Sequence, residues 1–396
     1  MPWKEKGIET MREEFVKQYL THQKSKSALC REYGISRPTG DKWIERYLQG
    51  EAMANQSRAP KTVANKTDQE IEDYIVQYRK KYPAIGATKI HRMLKDEGIT
   101  NLPCPRTIND IFKRNGLITK AASQAATPHK RFEKQEPNEM WQADFKGHFA
   151  IKNGFRCHPL DIIDDCSRFN LCCEPLGSET FAEVKIHLER IFAEYGMPYS
   201  FLCDNGTPWG TQQSTGFSRF EVWLMELGVL TLHGRAFHPQ TQGKEERFNG
   251  SLTREFLKYT IFENQQDAVR KFAEYRDFYN NKRPHFALNL DTPSKHYLPS
   301  TRKYPDKISE WEYSSEYELR KVKETGYITI KGQGYFLSES FGNKVIAVRE
   351  SSKSASLMNL YFRQFIIGQV DIDKRVFTFK RAYLADNDPR FMNNNS

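Results

Sequence analysis

The sequence predicts a multidomain protein: an all-α N-terminal region of two tandem helix-turn-helix units, an α/β central domain, and a small all-β C-terminal domain. Three observations predict this. The 396 residues exceed what one compact core usually holds. Residues 1–135 hold 26 Lys and Arg against 16 Asp and Glu, whereas the remaining 261 hold 34 of each. The hydrophobic period is helical to about residue 115, turns to strict alternation near 138, and alternates again in the tail.

A basic excess confined to one third of the chain marks a module that meets a polyanion, nucleic acid first among them. A membrane surface is the other polyanion. The chain has no long apolar run, no signal-peptide pattern and no basic helix with an aromatic face, so a soluble, intracellular protein without a membrane partner is expected. The seven cysteines (Cys30, Cys104, Cys157, Cys166, Cys172, Cys173 and Cys203) include no Cys-x-x-Cys pair and no matched His spacing, which argues against zinc. Cys172 and Cys173, adjacent in an apolar stretch, read as buried free thiols of a reducing compartment.

Residues 1–50 are expected to form a first DNA-reading unit, the other reading of the same pattern being a helical hairpin with no ligand. Phe15, Tyr19 and Leu20 share one helical face, Ala28, Leu29 and Tyr33 another, and a Gly34-Ile35-Ser36 turn leads into a helix carrying Trp43, Ile44 and Tyr47. Ser36 as N-cap with Pro38 in the first turn completes a helix-turn-helix whose second helix enters the major groove. Arg37, Thr39, Lys42 and Arg46 are its candidate DNA contacts. A linker without periodicity covers 51–67. Residues 68–120 form the second unit: Asp68 is an N-cap candidate, Ile71, Ile75 and Tyr78 form an apolar stripe, and helices follow near 86–97 and 105–115. The last carries Ile108, Ile111 and Phe112 inward, leaving Arg106, Lys113 and Arg114 for DNA. A second linker, rich in Ala, Ser, Gln and basic residues, runs over 121–137.

The central domain spans 138–300. Trp141, Ala143, Phe145 and Phe149 alternate with polar residues, Asn153-Gly154 supplies a turn, and Leu160–Ile163 and Phe169–Cys173 are strand-like. A helix is expected over 179–195, a short strand over Tyr199–Cys203, and helices over 216–227, 242–258 and 265–281. Three antiparallel strands followed by alternating helices and strands read as a mixed α/β layer fold. Residues 301–396 are β-rich, with runs such as Tyr327–Ile330 and Lys344–Val348 that read as a small barrel or sandwich.

Three carboxylates stand where such a fold can gather them. Asp144 lies on the first strand, on the face opposite Trp141, Ala143 and Phe145; Asp204 ends the short strand; Glu246 sits in the first turns of a helix. Oxygen donors alone suit Mg²⁺ or Mn²⁺ rather than zinc. Two such ions activate a water or 3′-hydroxyl on one side of a phosphodiester and stabilise the leaving oxygen on the other, without a covalent protein nucleophile. Taken singly, each residue is also an ordinary strand, turn or helix-start residue.

Trp141-Gln142-Ala143-Asp144-Phe145, Leu160-Asp161-Ile162-Ile163-Asp164-Asp165-Cys166-Ser167-Arg168, Cys203-Asp204-Asn205-Gly206 and His238-Pro239-Gln240-Thr241-Gln242-Gly243-Lys244-Glu245-Glu246-Arg247-Phe248-Asn249 occur in that order. Together they resemble the catalytic core of DDE transposases and retroviral integrases. With Tyr279-Asn280-Asn281-Lys282-Arg283-Pro284-His285 and Thr292-Pro293 downstream, the version is similar to bacterial insertion-sequence transposases of the integrase-core type. The resemblance implies an RNase H-like fold, a triad of Asp144, Asp204 and Glu246 holding two Mg²⁺ or Mn²⁺ ions, and polynucleotidyl transfer at element ends.

It also implies double-stranded DNA partners, namely terminal inverted repeats and target DNA, and a homo-oligomer, at least a dimer on DNA, in the bacterial cytoplasm at the nucleoid. The interval from Asp204 to Glu246 (246 − 204 = 42 positions) is a few residues longer than usual in this family, with extra polar sequence around Trp209–Gly216. The zinc-binding domain of retroviral integrases is absent, which leaves DNA reading to the helix-turn-helix units.

Asp161, Asp164 and Asp165 are expected to serve the turn and pair with Arg168, and Lys244 and Arg247 to hold scissile-strand phosphates. Periodicity places Glu245 on the apolar side of its helix with Phe248, Leu252 and Phe256, and rotates Glu246 away toward Asn249, Gly250 and Thr253. Two other functions use the same residues: a DNA-binding regulator that has lost catalysis, and a structure-specific nuclease of the same fold.

Overall fold

The computed structural model describes residues 7–55, 67–118, 134–211, 216–234 and 243–383. Most of both linkers and the His238–Gln242 part of the fourth motif lie outside the described residues. The chain divides into two compact units, 1–66 and 67–396.

In the first unit, helices α1 (Ile8–Leu20), α2 (Lys26–Glu32) and α3 (Arg37–Leu48) enclose Phe15, Val16, Leu29, Cys30, Trp43 and Ile44. Each buried side chain of this size contributes about 1.5–3 kcal/mol, which is what holds so small a bundle. Ser36 caps α3 by accepting from the Thr39 N–H, with Pro38 in the first turn. Gly40 lets α3 approach closely, because a Cβ there would sit 2.8 Å from Cys30 Sγ and 3.1 Å from the Phe15 ring. Leu20, expected on the apolar face, is exposed because it falls in the last residue of α1.

The second unit opens with α4 (Gln69–Lys81), α5 (Ala87–Asp96) and α6 (Pro105–Arg114). They close over Ile75, Ile90, Leu94, Ile108, Ile111 and Phe112. Asp68 stands at the N-cap of α4 without a side-chain capping bond. This bundle is tied to the domain that follows by Tyr82 stacked on Phe278 (centroids 4.8 Å apart) and by the Arg92–Asp291 ion pair at 2.7 Å.

The central sheet is built from β1 (Met140–Phe145), β2 (Phe149–Ala150), β3 (Arg156–Asp164), β4 (Asn170–Leu176), β5 (Ser200–Cys203) and β6 (Leu230–His233). β3 pairs antiparallel with β4 on one side and β1 on the other, β1 pairs β5 in parallel, β5 pairs β6 in parallel, and β2 pairs the start of β3. Three antiparallel strands extended by two parallel ones define the RNase H-like sheet. β6 has no counterpart in the sequence reading: it is as short as β5, but no turn pair like the Asn205-Gly206 that closes β5 follows it to mark it off from its neighbouring loop.

Alternation sorts the side chains between two layers. Trp141, Ala143, Leu160, Ile162 and Cys172 face α7 (Phe181–Tyr195) and α8 (Arg219–Glu226). Cys157, Ile163 and Cys173 face α9 (Gly243–Glu255) and α10 (Gln265–Asn281). The adjacent cysteines are both buried free thiols, on opposite faces. Trp209, in the stretch read as extra polar sequence, is 1% exposed and packs against Phe145, Phe201 and Phe220.

The tail comprises β7 (Glu318–Lys321), β8 (Tyr327–Ile330), β9 (Gln333–Phe336), β10 (Val345–Ser351), β11 (Ser354–Phe362), β12 (Phe365–Asp371) and β13 (Val376–Tyr383). Five strands form an antiparallel sheet in the order β13-β12-β11-β10-β7, and β8-β9 is a separate hairpin. Its core is shared with Phe217, Val222 and Met225 at α8, so the tail is packed directly on the central domain.

Candidate active site

Parallel pairing of β1 with β5 sets Gln142 opposite Leu202, and two residues further on stand Asp144, still on β1, and Asp204, one residue past the end of β5. Both carboxylates therefore leave the sheet at the carboxyl ends of adjacent parallel strands, where open α/β sheets place their ligands. Asp144 Oδ2 accepts a 3.0 Å hydrogen bond from Asn249 Nδ2, and Asp204 Oδ1 accepts one of 3.0 Å from the Gly206 N–H. Both donors are neutral. Burial, reinforced by the neighbouring Asp204 charge, pushes the Asp144 carboxyl up to about 6, and burial raises Asp204 as well.

Glu246 lies in the first turn of α9, exposed, one turn before the Asn249 that reaches Asp144. Glu245 points inward and is 1% exposed. The helix is anchored at both ends. At its start, Lys244 forms an ion pair with Asp165 at 2.5 Å; at its end, Glu255 accepts from Arg283 Nε at 2.6 Å and Nη2 at 2.7 Å. Asn280 of the same downstream motif exchanges two hydrogen bonds with the Asn170 backbone and fastens α10 to β4. The downstream motif is thus structural: it fixes the helix that carries Glu246.

The expected DNA contacts differ in what already holds them within the protein. Lys244 is held inward by Asp165, with only 10% of its side chain exposed, because the first turn of α9 lies over the turn after β3. Arg46 is spent inside the first unit on Glu51 and the Ala52 and Ala54 carbonyls. Arg114 is paired with buried Glu72. Lys113 pairs with Asp110 at the surface, and Arg37, Lys42, Arg106 and Arg247 are exposed; Thr39 bonds Ser36 in the cap.

Asp164 does serve the turn, accepting from Asn138 N–H, Ser167 N–H and Ser167 Oγ, but Arg168 reaches the Asp165 and Cys166 carbonyls. Asp161 is not a turn residue at all. It lies directly across from Asp144 in the β1–β3 register, fully buried. Burial holds both its carboxyl and that of Glu245 well above the ordinary range.

Sequence reasoning also passed over Glu179, whose charge raises both Asp144 and Asp204, and which bonds His158 at 2.8 Å. It passed over His233 and Glu221 too, which stand behind Asp204. The only sequence signal for them was the Ser218-x-x-Glu221 spacing of a capping box, which the structure contains.

Among the described residues, no group of three or more His, Cys, Asp or Glu side chains is drawn together tightly enough to hold an ion. The donor chemistry nevertheless fits a hard divalent cation: two adjacent carboxylates held by neutral donors, and a third on a braced helix.

A mixed sheet of this order with acidic residues at the ends of its central strands is the architecture of polynucleotidyl-transferase cores. Models of the integrase core domain match residues 134–239 and 227–293, and a helix-turn-helix domain model matches 11–61. Residues 134–293 therefore carry an integrase core domain of the DDE transposase and integrase type.

An uncharacterized protein of insertion element IS407 from Burkholderia multivorans is 26% identical over 52% of this chain and 67% of its own length. A putative transposase for insertion sequence element IS5376 from Geobacillus stearothermophilus is 27% identical over 46% of each chain. Transposase InsD of insertion element IS2 from Escherichia coli is 23% identical over 54% of this chain and 73% of its own. No helix among the described residues is long and apolar enough to cross a membrane.

Proposed function

We propose that this protein is an insertion-sequence transposase that binds terminal inverted repeats, cleaves at the element ends and transfers 3′-hydroxyl ends to target DNA. The observation that carries the reading is the pair Asp144 and Asp204 at the ends of adjacent parallel strands, with Glu246 on a helix anchored at both ends. Asp144, Asp204 and Glu246 would hold the metal. Two bound Mg²⁺ or Mn²⁺ ions supply activation of the attacking oxygen and stabilisation of the leaving one.

Within the chain, Asn249 orients the Asp144 carboxylate, and the anchors at Lys244 and Arg283 keep α9 in register with the sheet. Exposed Arg247 beside Glu246 is suited to a scissile-strand phosphate. Arg37, Lys42, Arg106 and Lys113 are exposed cations on the last helix of each helix-turn-helix unit, and Thr39 lies in the first turn of the recognition helix. These residues would read a long bipartite site. Joining two element ends in one event calls for two catalytic cores, hence at least a dimer on DNA, in the bacterial cytoplasm at the nucleoid. Incubation of the protein with end-containing duplex and Mg²⁺ tests the reading. Strand-transfer products specific to the end sequence are expected, and cleavage indifferent to that sequence would reduce the protein to a nuclease.

A further inference from the structure

A continuous chain of polar contacts runs from the C-terminal domain to the backbone of Asp204. Arg381 on β13 donates through Nε to Glu221 Oε1, and its Nη2 donates to the Gly216 carbonyl at 2.9 Å. Its guanidinium lies over the Phe217 and Phe379 rings, at 5.1 and 4.8 Å from their centroids. Glu221 Oε1 also meets His233 Nε2 at 3.0 Å, and Glu221 Oε2 accepts from the Ser218 N–H at 2.7 Å. His233, which pairs with Cys203 at the end of the sheet, presents Nδ1 to the Asp204 carbonyl at 2.6 Å. Asn205 Nδ2 donates to the Gly234 carbonyl at 3.1 Å and ties the same two strand ends together.

Two features show that the chain is built rather than incidental. Glu221 has no exposed side-chain surface, and a carboxylate so placed is tolerated only when its charge is met. Burial alone would raise its carboxyl, yet the His233 and Arg381 contacts outweigh it and hold the group below the ordinary value. Asp204, in contrast, lies beyond its strand, and its carboxylate has the Gly206 N–H as its one hydrogen-bond donor among the described residues. Its direction depends on where the backbone at 204 is held, and His233 is the side chain that holds it.

We propose that the C-terminal domain completes the active site: Arg381, Glu221 and His233 are positioning residues that aim the Asp204 carboxylate for divalent-metal binding. The inference rests on the metal-dependent reading above, so its test includes metal binding measured without DNA. Outer-shell partners of metal ligands typically contribute 10–100-fold to affinity.

Mn²⁺ binding to the full chain, followed by electron paramagnetic resonance, should weaken about tenfold in His233→Gln and Glu221→Gln. Arg381→Lys should stay nearer to wild type than Arg381→Ala. Because Arg381→Ala leaves Glu221 buried beside one partner fewer, the double variant Glu221→Gln/Arg381→Met, which removes both charges, guards against simple unfolding. It should melt cooperatively and still bind Mn²⁺ weakly. Half-saturating Mg²⁺ for end cleavage should rise in parallel, with binding to end DNA unchanged. Folded variants with wild-type Mn²⁺ affinity would overturn the relay. Absence of cleavage by the wild-type chain, with the Mn²⁺ differences intact, would instead count against the transposase reading.

Discussion

Asn249 and Asp144 are joined by a 3.0 Å hydrogen bond from the second turn of α9 to the end of β1. That bond fixes which side of the helix faces the sheet, and with it the positions of both glutamates: Glu246 one turn earlier, toward solvent, and Glu245 folded beneath.

Asp144→Asn, Asp204→Asn and Glu246→Gln should each reduce Mg²⁺-dependent cleavage by more than the roughly 10–100-fold that outer-shell changes cost, with binding to end DNA retained. Gel assays of cleavage beside mobility shifts check this. Substantial turnover by any one variant would remove that residue from the triad.

Glu245→Gln should leave cleavage within a few-fold of wild type and raise stability at neutral pH. Burial holds the Glu245 carboxyl well above its ordinary value, so its contribution to stability is largest at low pH and is lost as pH rises above the unfolded value of 4.5. Urea unfolding at pH 5 and pH 8 measures this: the gap between variant and wild type should widen at pH 8. If Glu245→Gln abolishes cleavage while Glu246→Gln does not, the third ligand is Glu245.

Asp144 titrates at about 6 in the fold against 3.8 ordinarily, so its share of stability is present below pH 3.8 and lost as pH climbs through 6. Divalent metal favours the carboxylate and opposes that loss. Melting temperatures taken from pH 4 to 7 should fall less with Mg²⁺ than without it, and Asp144→Asn should remove the difference. A Mg²⁺ effect that survives in the variant would place the ion elsewhere.

Arg37→Ala and Lys42→Ala should weaken DNA binding and lower the salt slope by about one each if they meet phosphates. Arg46→Ala should instead lower the melting temperature of the first unit, since Arg46 bonds Glu51 and two carbonyls within it. Calorimetry and binding at several salt concentrations separate the two kinds of arginine.

Arg283→Ala should cost about 3–5 kcal/mol, the usual penalty for stranding one partner of a buried ion pair, because Arg283 and Glu255 are 6% and 5% exposed at their side chains. Denaturant titration gives the value; a loss under 1 kcal/mol would mean that the pair does not brace α9.

The placement of Asp144 and Asp204 at strand ends and of Glu246 at a helix start, the strand alternation around Trp141 and the capped helix α3 were legible in the residues, because each is a local pattern of period, turn or cap. β6 was not, since it is as short as β5 and lacks the turn pair that marks the end of β5. The role of Arg283 was not either, for an arginine in a motif looks alike whether it meets DNA or a buried glutamate 28 positions away.

What the sequence by itself determined is the order of the modules, the face of β1 that carries Asp144 and the rotation of Glu246 away from the apolar stripe of α9. These follow from periods of 2 and 3.6 that a chain cannot escape once its hydrophobic residues are buried. Only the tertiary structure decided which charges are spent internally. Lys244 meets Asp165, Arg46 meets Glu51, and Arg381 meets Glu221 across 160 positions of sequence. Such pairings depend on which surfaces close against each other, and long-range packing leaves no periodic trace in the chain.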